Sequence, residues 1–119
     1  MKAEPLQYTV EEIENLPPKV KEESEKAKGG ASDRETVVIV DERTYIIVSL
    51  GKRPTGGYSV NVSKVEQQGD TLHVYAEEKT PATGSMVIQV ISYPMTVISV
   101  KGTYTNEDVE LHVRRAKSR

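Results

Sequence analysis

The chain has 119 residues, with 16 Lys and Arg against 18 Asp and Glu, and its aromatic residues are six Tyr, with no Trp or Phe. This length predicts one domain, and a net charge of −2 with 36% hydrophobic residues is ordinary for a folded protein. The absence of Cys excludes disulfides, iron–sulfur clusters, thiolate zinc sites and cysteine nucleophiles. Since binding to phosphates requires a basic face, which this slightly acidic chain lacks, we expect no nucleic acid partner.

The composition changes near residue 35. Residues 1–35 hold nine acidic and six basic side chains, whereas 23 of the 28 Val, Ile and Leu residues come later, and 20 of those 23 are Val or Ile. β-branched side chains lose freedom in helices and fit a pleated surface. We therefore predict an N-terminal helical segment and linker over residues 1–35, a β domain over 36–114 and a basic disordered tail over 115–119.

Two short helices are predicted in the N-terminal segment. Residues 9–12 have the spacing of a capping box, and Val10, Ile13 and Leu16 recur every third residue as one face of a helix. Pro18–Lys28, followed by two glycines, predicts a second helix, because proline favours the first helical position and glycine the position after the last. The apolar face of this second helix is thin, so we expect it to lie on the surface or to be partly frayed.

Apolar and polar residues alternate with period two through most of the β domain. Turns are predicted at Asp41–Arg43 and Gln68–Asp70. The predicted strands are Val37–Val40, Tyr45–Leu50 as a central strand covered on both faces, Tyr58–Ser63, Leu72–Glu77, Met86–Ser92, Met95–Val100 and Val109–Arg114. The predicted fold class is mainly β, or α+β by count: a small antiparallel β-sandwich or open barrel of about six to eight strands with one or two short N-terminal helices.

The sequence contains neither a Gly-x-Ser-x-Gly nucleophile elbow nor a phosphate-binding loop. His73 and His112 occupy outward-facing strand positions beside Glu77 and Glu110. If their strands were neighbours, two His and one carboxylate could hold a metal ion. Exposed polar residues on a solvated face account for the same pattern with fewer assumptions, so we predict no metal, no cofactor and no enzymatic activity.

The most informative segment is Leu50–Val60, a glycine-rich loop between two strands. Its paired glycines permit positive φ, its proline fixes φ and its threonine can hydrogen-bond the local backbone, so the loop should be shaped. It fits both a tight structural connector and a presented binding loop. The predicted contact residues are Lys52, Arg53, Pro54, Thr55, Gly56, Gly57 and Tyr58. On this hypothesis Arg53→Ala should leave the stability nearly unchanged, whereas Tyr58 shares the inward phase of Val60 and supports the loop from the core side.

Together with Thr44–Ser49, the segment Leu50–Val60 resembles the core motif of the PrcB-type protease-complex subunit domain. Gly69–Leu72, Thr80–Pro81 and Tyr93–Pro94 fall where that family has a hairpin, a proline-containing loop and a Tyr-Pro pair. The resemblance covers residues 38–101. It implies a bacterial, non-catalytic domain, named for a subunit that assembles with and stabilises a subtilisin-like surface protease.

Members of that family are commonly exported, often as lipoproteins, so the resemblance implies an extracytoplasmic location. The chain starts without the apolar stretch of a signal peptide, and it has no Cys for a lipobox. It also has no apolar run of the length needed to span a membrane, so we expect no membrane span. The sequence leaves the oligomeric state open.

Arg53–Tyr58 is also similar to the Asn-Pro-Thr-Thr-Gly-aromatic loop of chagasin-like cysteine-protease inhibitors, which are small β-sandwiches. Arg53 stands where those proteins have Asn, Gly56 where they have the second Thr, and residues 93–95 offer no Trp or Phe after the proline. Direct protease inhibition is therefore the alternative function. Both resemblances imply another protein as the partner, and a pre-shaped loop lowers the entropy that binding costs.

Overall fold

A computed structural model describes residues 3–27, 34–53, 56–80 and 91–116. Only the backbone is described for residues 115 and 116. These residues form eight strands and one α-helix, together with two 3₁₀ turns at Ile13–Asn15 and Asn106–Asp108. The elements are β1 (Glu4–Pro5), β2 (Thr9–Glu11), α1 (Pro18–Ala27), β3 (Arg34–Val40), β4 (Arg43–Ser49), β5 (Ser59–Gln68), β6 (Thr71–Lys79), β7 (Met95–Lys101) and β8 (Val109–Ala116). No helix among them is both long and apolar enough to cross a membrane.

The strands make two four-stranded sheets. Sheet A has the order β1-β5-β6-β8, and sheet B has the order β2-β7-β4-β3. The mainly β class is thus confirmed, and the described strands form open sheets and not a closed barrel. One pair differs from the antiparallel prediction, because β6 and β8 run parallel. Between these two strands the chain crosses to sheet B to form β7, and such a crossover allows the chain to return in the same direction.

The main core fills the space between the two sheets. Its buried members are Ile46, Val48, Leu50, Val60, Val62, Val65, Leu72, Val74, Ala76, Ile98, Val100 and Val109. The predicted alternation in β5 is confirmed, since Val60 and Val62 are buried while Ser59 and Asn61 are exposed. A β-bulge after Val62 then places two successive residues outward, so that Val65 returns to the core.

Strand β4 is covered on both faces, as its continuous apolar run predicts. Ile46 and Val48 belong to the core between the sheets, whereas Ile47 belongs to a second cluster beneath α1. All three are fully buried. The turn before β4 is confirmed as well: Asp41 and Glu42 adopt φ values of 48° and 63°, the left-handed pair found in tight hairpin turns.

The first predicted helix is wrong. Thr9–Glu11 is instead strand β2, which pairs with β7 at the edge of sheet B, and a 3₁₀ turn follows it. Val10 is 60% exposed and Ile13 is 41% exposed, so only Leu16 of the period-three face is buried. Pairing with a free sheet edge satisfies the backbone groups of this segment, whereas a short helix would gain little from burying one side chain.

The second predicted helix is confirmed as α1 over Pro18–Ala27. It packs on the outer face of sheet B through the thin face that the sequence predicts, and Val20, Ser24 and Ala27 are all buried. The Ser24 hydroxyl donates to the Lys21 carbonyl oxygen at 2.7 Å, so this buried polar group is satisfied.

Several predictions concern residues that the structure does not describe. The linker at residues 29–33, the loop at 81–84, most of the strand predicted at 86–92 and tail residues 117–119 lie outside the described residues.

The backbone of β8 continues to Ala116, two residues into the segment predicted as a tail. The N-terminal segment also contributes an edge strand to each sheet, through β1 and β2.

Ile47→Ala tests whether α1 covers sheet B. Because Ile47 is fully buried beneath the helix, we expect the substitution to lower the free energy of unfolding by about 3 kcal/mol. Ile39→Ala on the neighbouring strand is the matched control, since Ile39 is 38% exposed, and it should cost less than about 1 kcal/mol. Urea unfolding followed by circular dichroism measures both; equal losses would mean that the helix does not shield this face.

Candidate functional site

The loop between β4 and β5 leaves sheet B and enters sheet A, and it contains the predicted contact residues. Lys52 and Gly57 are exposed, and Gly56 and Tyr58 are half-buried. Pro54 and Thr55 lie outside the described residues. Arg53 and Tyr58, near the two ends of the predicted site, lie close to each other, and Lys52 and Gly57 face solvent.

Backbone hydrogen bonds hold the first half of this loop. Arg53 and Ser92 form an isolated antiparallel bridge, with N–O distances of 2.8 and 2.9 Å, and the Leu50 amide donates to the Pro94 carbonyl oxygen at 3.1 Å. Gly51, which is buried, and Gly57 adopt φ values of 81° and 89°. Glycine takes this left-handed conformation without steric cost. The loop is thus tied at its base to the segment that leads into β7.

The Arg53 side chain folds back onto the sandwich. Its Nε donates to Glu78 Oε2 at 2.7 Å, and the two side chains are only 17% and 3% exposed. Its Nη1 donates to the carbonyl oxygens of Leu50 and Lys52 at 3.0 and 3.1 Å, and the guanidinium carbon lies 6.0 Å from the centre of the Tyr58 ring. These contacts argue against the expectation that Arg53 can be truncated without loss of stability, because they give the side chain an anchoring position at the start of the loop.

Glu78 is a residue of this site that the sequence analysis did not single out. It lies near the end of β6, where Leu72, Val74 and Ala76 point into the core, and it continues their phase. A carboxylate at a core-facing position requires a charged or hydrogen-bonding partner, because burial of an unpaired charge is costly. The alternation therefore contained a signal for a buried ion pair, although not for the identity of the partner.

A second group of polar side chains lies on the solvated face of sheet A. Because β6 and β8 are neighbours, His73 is opposite Glu110 and Tyr75 is opposite His112. His73 Nδ1 is 3.0 Å from His112 Nε2, and the Glu110 carboxylate oxygens lie 3.7 and 3.8 Å from these two nitrogens. The neighbouring strands that a two-His, one-carboxylate arrangement requires are thus present. Glu77, the other predicted carboxylate, is opposite Arg114 instead.

Tyr75 borders this cluster. Its ring stacks on that of His112, with 4.8 Å between centroids and 17° between planes, and the Lys64 ammonium lies 4.6 Å from the Tyr75 centroid. Loss of solvent around the phenol raises the pKa of Tyr75, and the carboxylates of Glu66 and Glu110 raise it further. The Tyr75 hydroxyl therefore stays protonated at neutral pH and contributes a rigid ring, not a charge.

Arg53→Ala tests the anchor. Because it would leave the Glu78 carboxylate buried without this partner, we expect it to lower the free energy of unfolding by about 3 kcal/mol. Lys52→Ala is the matched control, as it truncates the adjacent, exposed cation, and it should cost about 0.5 kcal/mol or less. Chemical denaturation gives both values. A loss at position 53 no larger than that at position 52 would contradict the anchoring role.

Comparison with known proteins gives a family match for part of the chain. Residues 44–101 match the family model described as PrcB C-terminal. An uncharacterised protein of Methanocaldococcus jannaschii, MJ1373, is 30% identical over 71 residues, which are 60% of this chain and 43% of that protein. The chain thus spans less than half the length of that relative. No solved structure matches the chain.

The matched segment contains the loop and the residues that anchor it. It begins one residue into β4 and ends with the last residue of β7, so it includes the loop, its anchors Arg53 and Glu78, and the bridge to Ser92. The resemblance predicted from Leu50–Val60 is therefore confirmed: the part of the chain from Thr44 to Lys101 matches the PrcB C-terminal family.

Proposed function

We propose that this chain is a non-catalytic subunit of a protease complex and that it binds a subtilisin-like protease through the loop at residues 51–57. The match of residues 44–101 to the PrcB C-terminal family is the observation that carries this proposal. The matched segment includes strands of both sheets and the loop between β4 and β5. A non-catalytic role is also consistent with the sequence, which lacks the nucleophile elbow of many hydrolases.

The geometry of the loop supports a binding role. Its base is fixed by the Arg53–Ser92 bridge and by the Arg53–Glu78 ion pair, so the position of Arg53 is largely set before a partner arrives. A pre-ordered loop loses less conformational entropy on binding than a mobile one. Lys52 and Gly57 are exposed on this support and are available to a partner.

The contact residues divide into two roles in this proposal. Lys52, Pro54, Thr55, Gly56 and Gly57 form the surface that meets the protease. Arg53 and Tyr58 support the loop and do not contact the protease, because the guanidinium is paired with Glu78 and lies near the Tyr58 ring. Substitution of Arg53 would therefore weaken binding through loss of loop shape, and Lys52 is the better position at which to test direct contact.

Lys52→Glu should lower the affinity for the subtilisin-like protease of the source organism at least tenfold, because it reverses an exposed charge on the loop. Lys19→Glu makes the same charge change at an exposed position of α1 and should leave the affinity unchanged. Surface plasmon resonance with immobilised wild-type and variant chains measures the affinities, and thermal unfolding verifies that both variants fold. Equal affinities for the two variants would remove the loop from the binding surface.

Measurements of protease activity in the complex distinguish an assembly role from inhibition. A stabilising subunit should lengthen the half-life of protease activity on storage without lowering the initial rate of peptide hydrolysis. A direct inhibitor, the alternative that the chagasin-like similarity implies, would lower that rate in proportion to the complex formed. A wild-type chain that neither binds the protease nor alters its half-life would refute the proposed function.

A further inference from the structure

The cluster of His73, Glu110 and His112 on the solvated face of sheet A combines three side chains of the kinds that bind transition metals. Their ligand atoms all lie within 4.8 Å of one another. Two imidazoles and one carboxylate are a ligand set of zinc and other first-row divalent ions, and three protein ligands leave a coordination position open. We propose that these three residues bind one divalent transition-metal ion, with Zn²⁺ as the best-matched ion.

The distances fit a shared ion. Two nitrogens that each lie about 2.0–2.1 Å from one ion are about 2.9–3.4 Å apart at octahedral to tetrahedral angles. His73 Nδ1 and His112 Nε2 are 3.0 Å apart, within that range. The Glu110 oxygens, at 3.7 and 3.8 Å from these nitrogens, need to approach by roughly half an ångström. The Glu110 side chain is 58% exposed and has the freedom to make that movement.

The sheet holds the two imidazoles in place. His73 and His112 lie on neighbouring hydrogen-bonded strands, diagonal to each other across the parallel register. The His73 side chain is only 15% exposed, and the Tyr75 ring is stacked on His112. Ligands that are fixed before the ion arrives lose little entropy on binding it.

The competing explanation is a direct hydrogen bond between the two imidazoles. At 3.0 Å one ring N–H can donate to the lone pair of the other ring. That bond accounts for the His–His distance, but it does not require Glu110 to approach both nitrogens. A metal ion uses all three side chains, so the effect of removing the Glu110 charge distinguishes the two explanations.

This site is separate from the proposed protease-binding loop. His73 precedes Glu78, at the base of the loop, by five residues of β6, or about 16 Å at 3.3 Å per residue. The two proposals can therefore fail independently. Metal binding can be measured on the isolated chain, without a protease.

Isothermal titration of Zn²⁺ into the full chain, free of any polyhistidine tag and of bound metal, should give one ion per chain. His73→Gln, His112→Gln and Glu110→Gln should each weaken the affinity at least tenfold. Glu77→Gln is the matched control, because it removes the same charge from the same face at a position opposite Arg114, and it should leave the affinity unchanged. Zn²⁺ should also raise the melting temperature of the wild-type and Glu77→Gln chains, since the ion binds the folded state.

Three results would overturn the metal site. They are an absence of Zn²⁺ binding by the wild-type chain, equal affinities of Glu110→Gln and Glu77→Gln, and a stoichiometry of one ion per two chains, which would indicate a site between copies. Circular dichroism confirms that each variant is folded. If a His variant is unfolded, the exposed Glu110 keeps the test decisive, because its substitution is not expected to disturb the core.

Discussion

The burial of β4 on both faces is the constraint on which the rest of the structure depends. Its side chains alternate between the core shared with sheet A and the cluster beneath α1, so one strand joins three layers. Fully buried aliphatic residues at successive positions leave no face for water, which is why this strand must be central in sheet B. The loop that follows emerges directly from this rigid element.

The Arg53–Glu78 ion pair attaches the start of the loop to sheet A. Arg53 belongs to the connection between the sheets, Glu78 belongs to β6 of sheet A, and the Arg53 backbone is bridged to Ser92 on the way to β7. One side chain and its backbone thus join three segments that are distant in sequence. Such a pair costs desolvation energy to form, but loss of the Arg53 side chain would leave the Glu78 carboxylate buried without the guanidinium, so the pair holds Arg53 in place.

The solvated face of sheet A has a different origin. The crossover through sheet B makes β8 parallel to β6, and this register sets Glu110 beside His73 and His112 beside Tyr75. In an antiparallel pair the same residues would meet other partners. The Arg53–Glu78 ion pair and the cluster on sheet A therefore differ in character: the ion pair is buried at the start of a loop, whereas the imidazoles and the carboxylate lie on the solvated face of a sheet.

Local patterns in the sequence determined much of the fold. The β-branched alternation, the continuous run of β4, the hairpin turns and the proline at the start of α1 each reflect interactions over a few residues, and all appear in the part of the chain that the structure describes. The Leu50–Val60 segment also contained enough to predict the family match. The helix predicted near Val10 failed because a vacant edge of β7, contributed by residues far along the chain, offered better backbone pairing than a short helix.

Only the tertiary structure decided which side chains meet across the chain. The alternation of β6 contained the inward phase of Glu78, but its pairing with Arg53 depends on where the loop lies relative to β6. His73 and His112 were visible as outward residues, but their 3.0 Å separation follows from the parallel neighbours β6 and β8. Period and propensity act along the chain, whereas strand order is set by the burial of whole faces, and no local pattern contains that information.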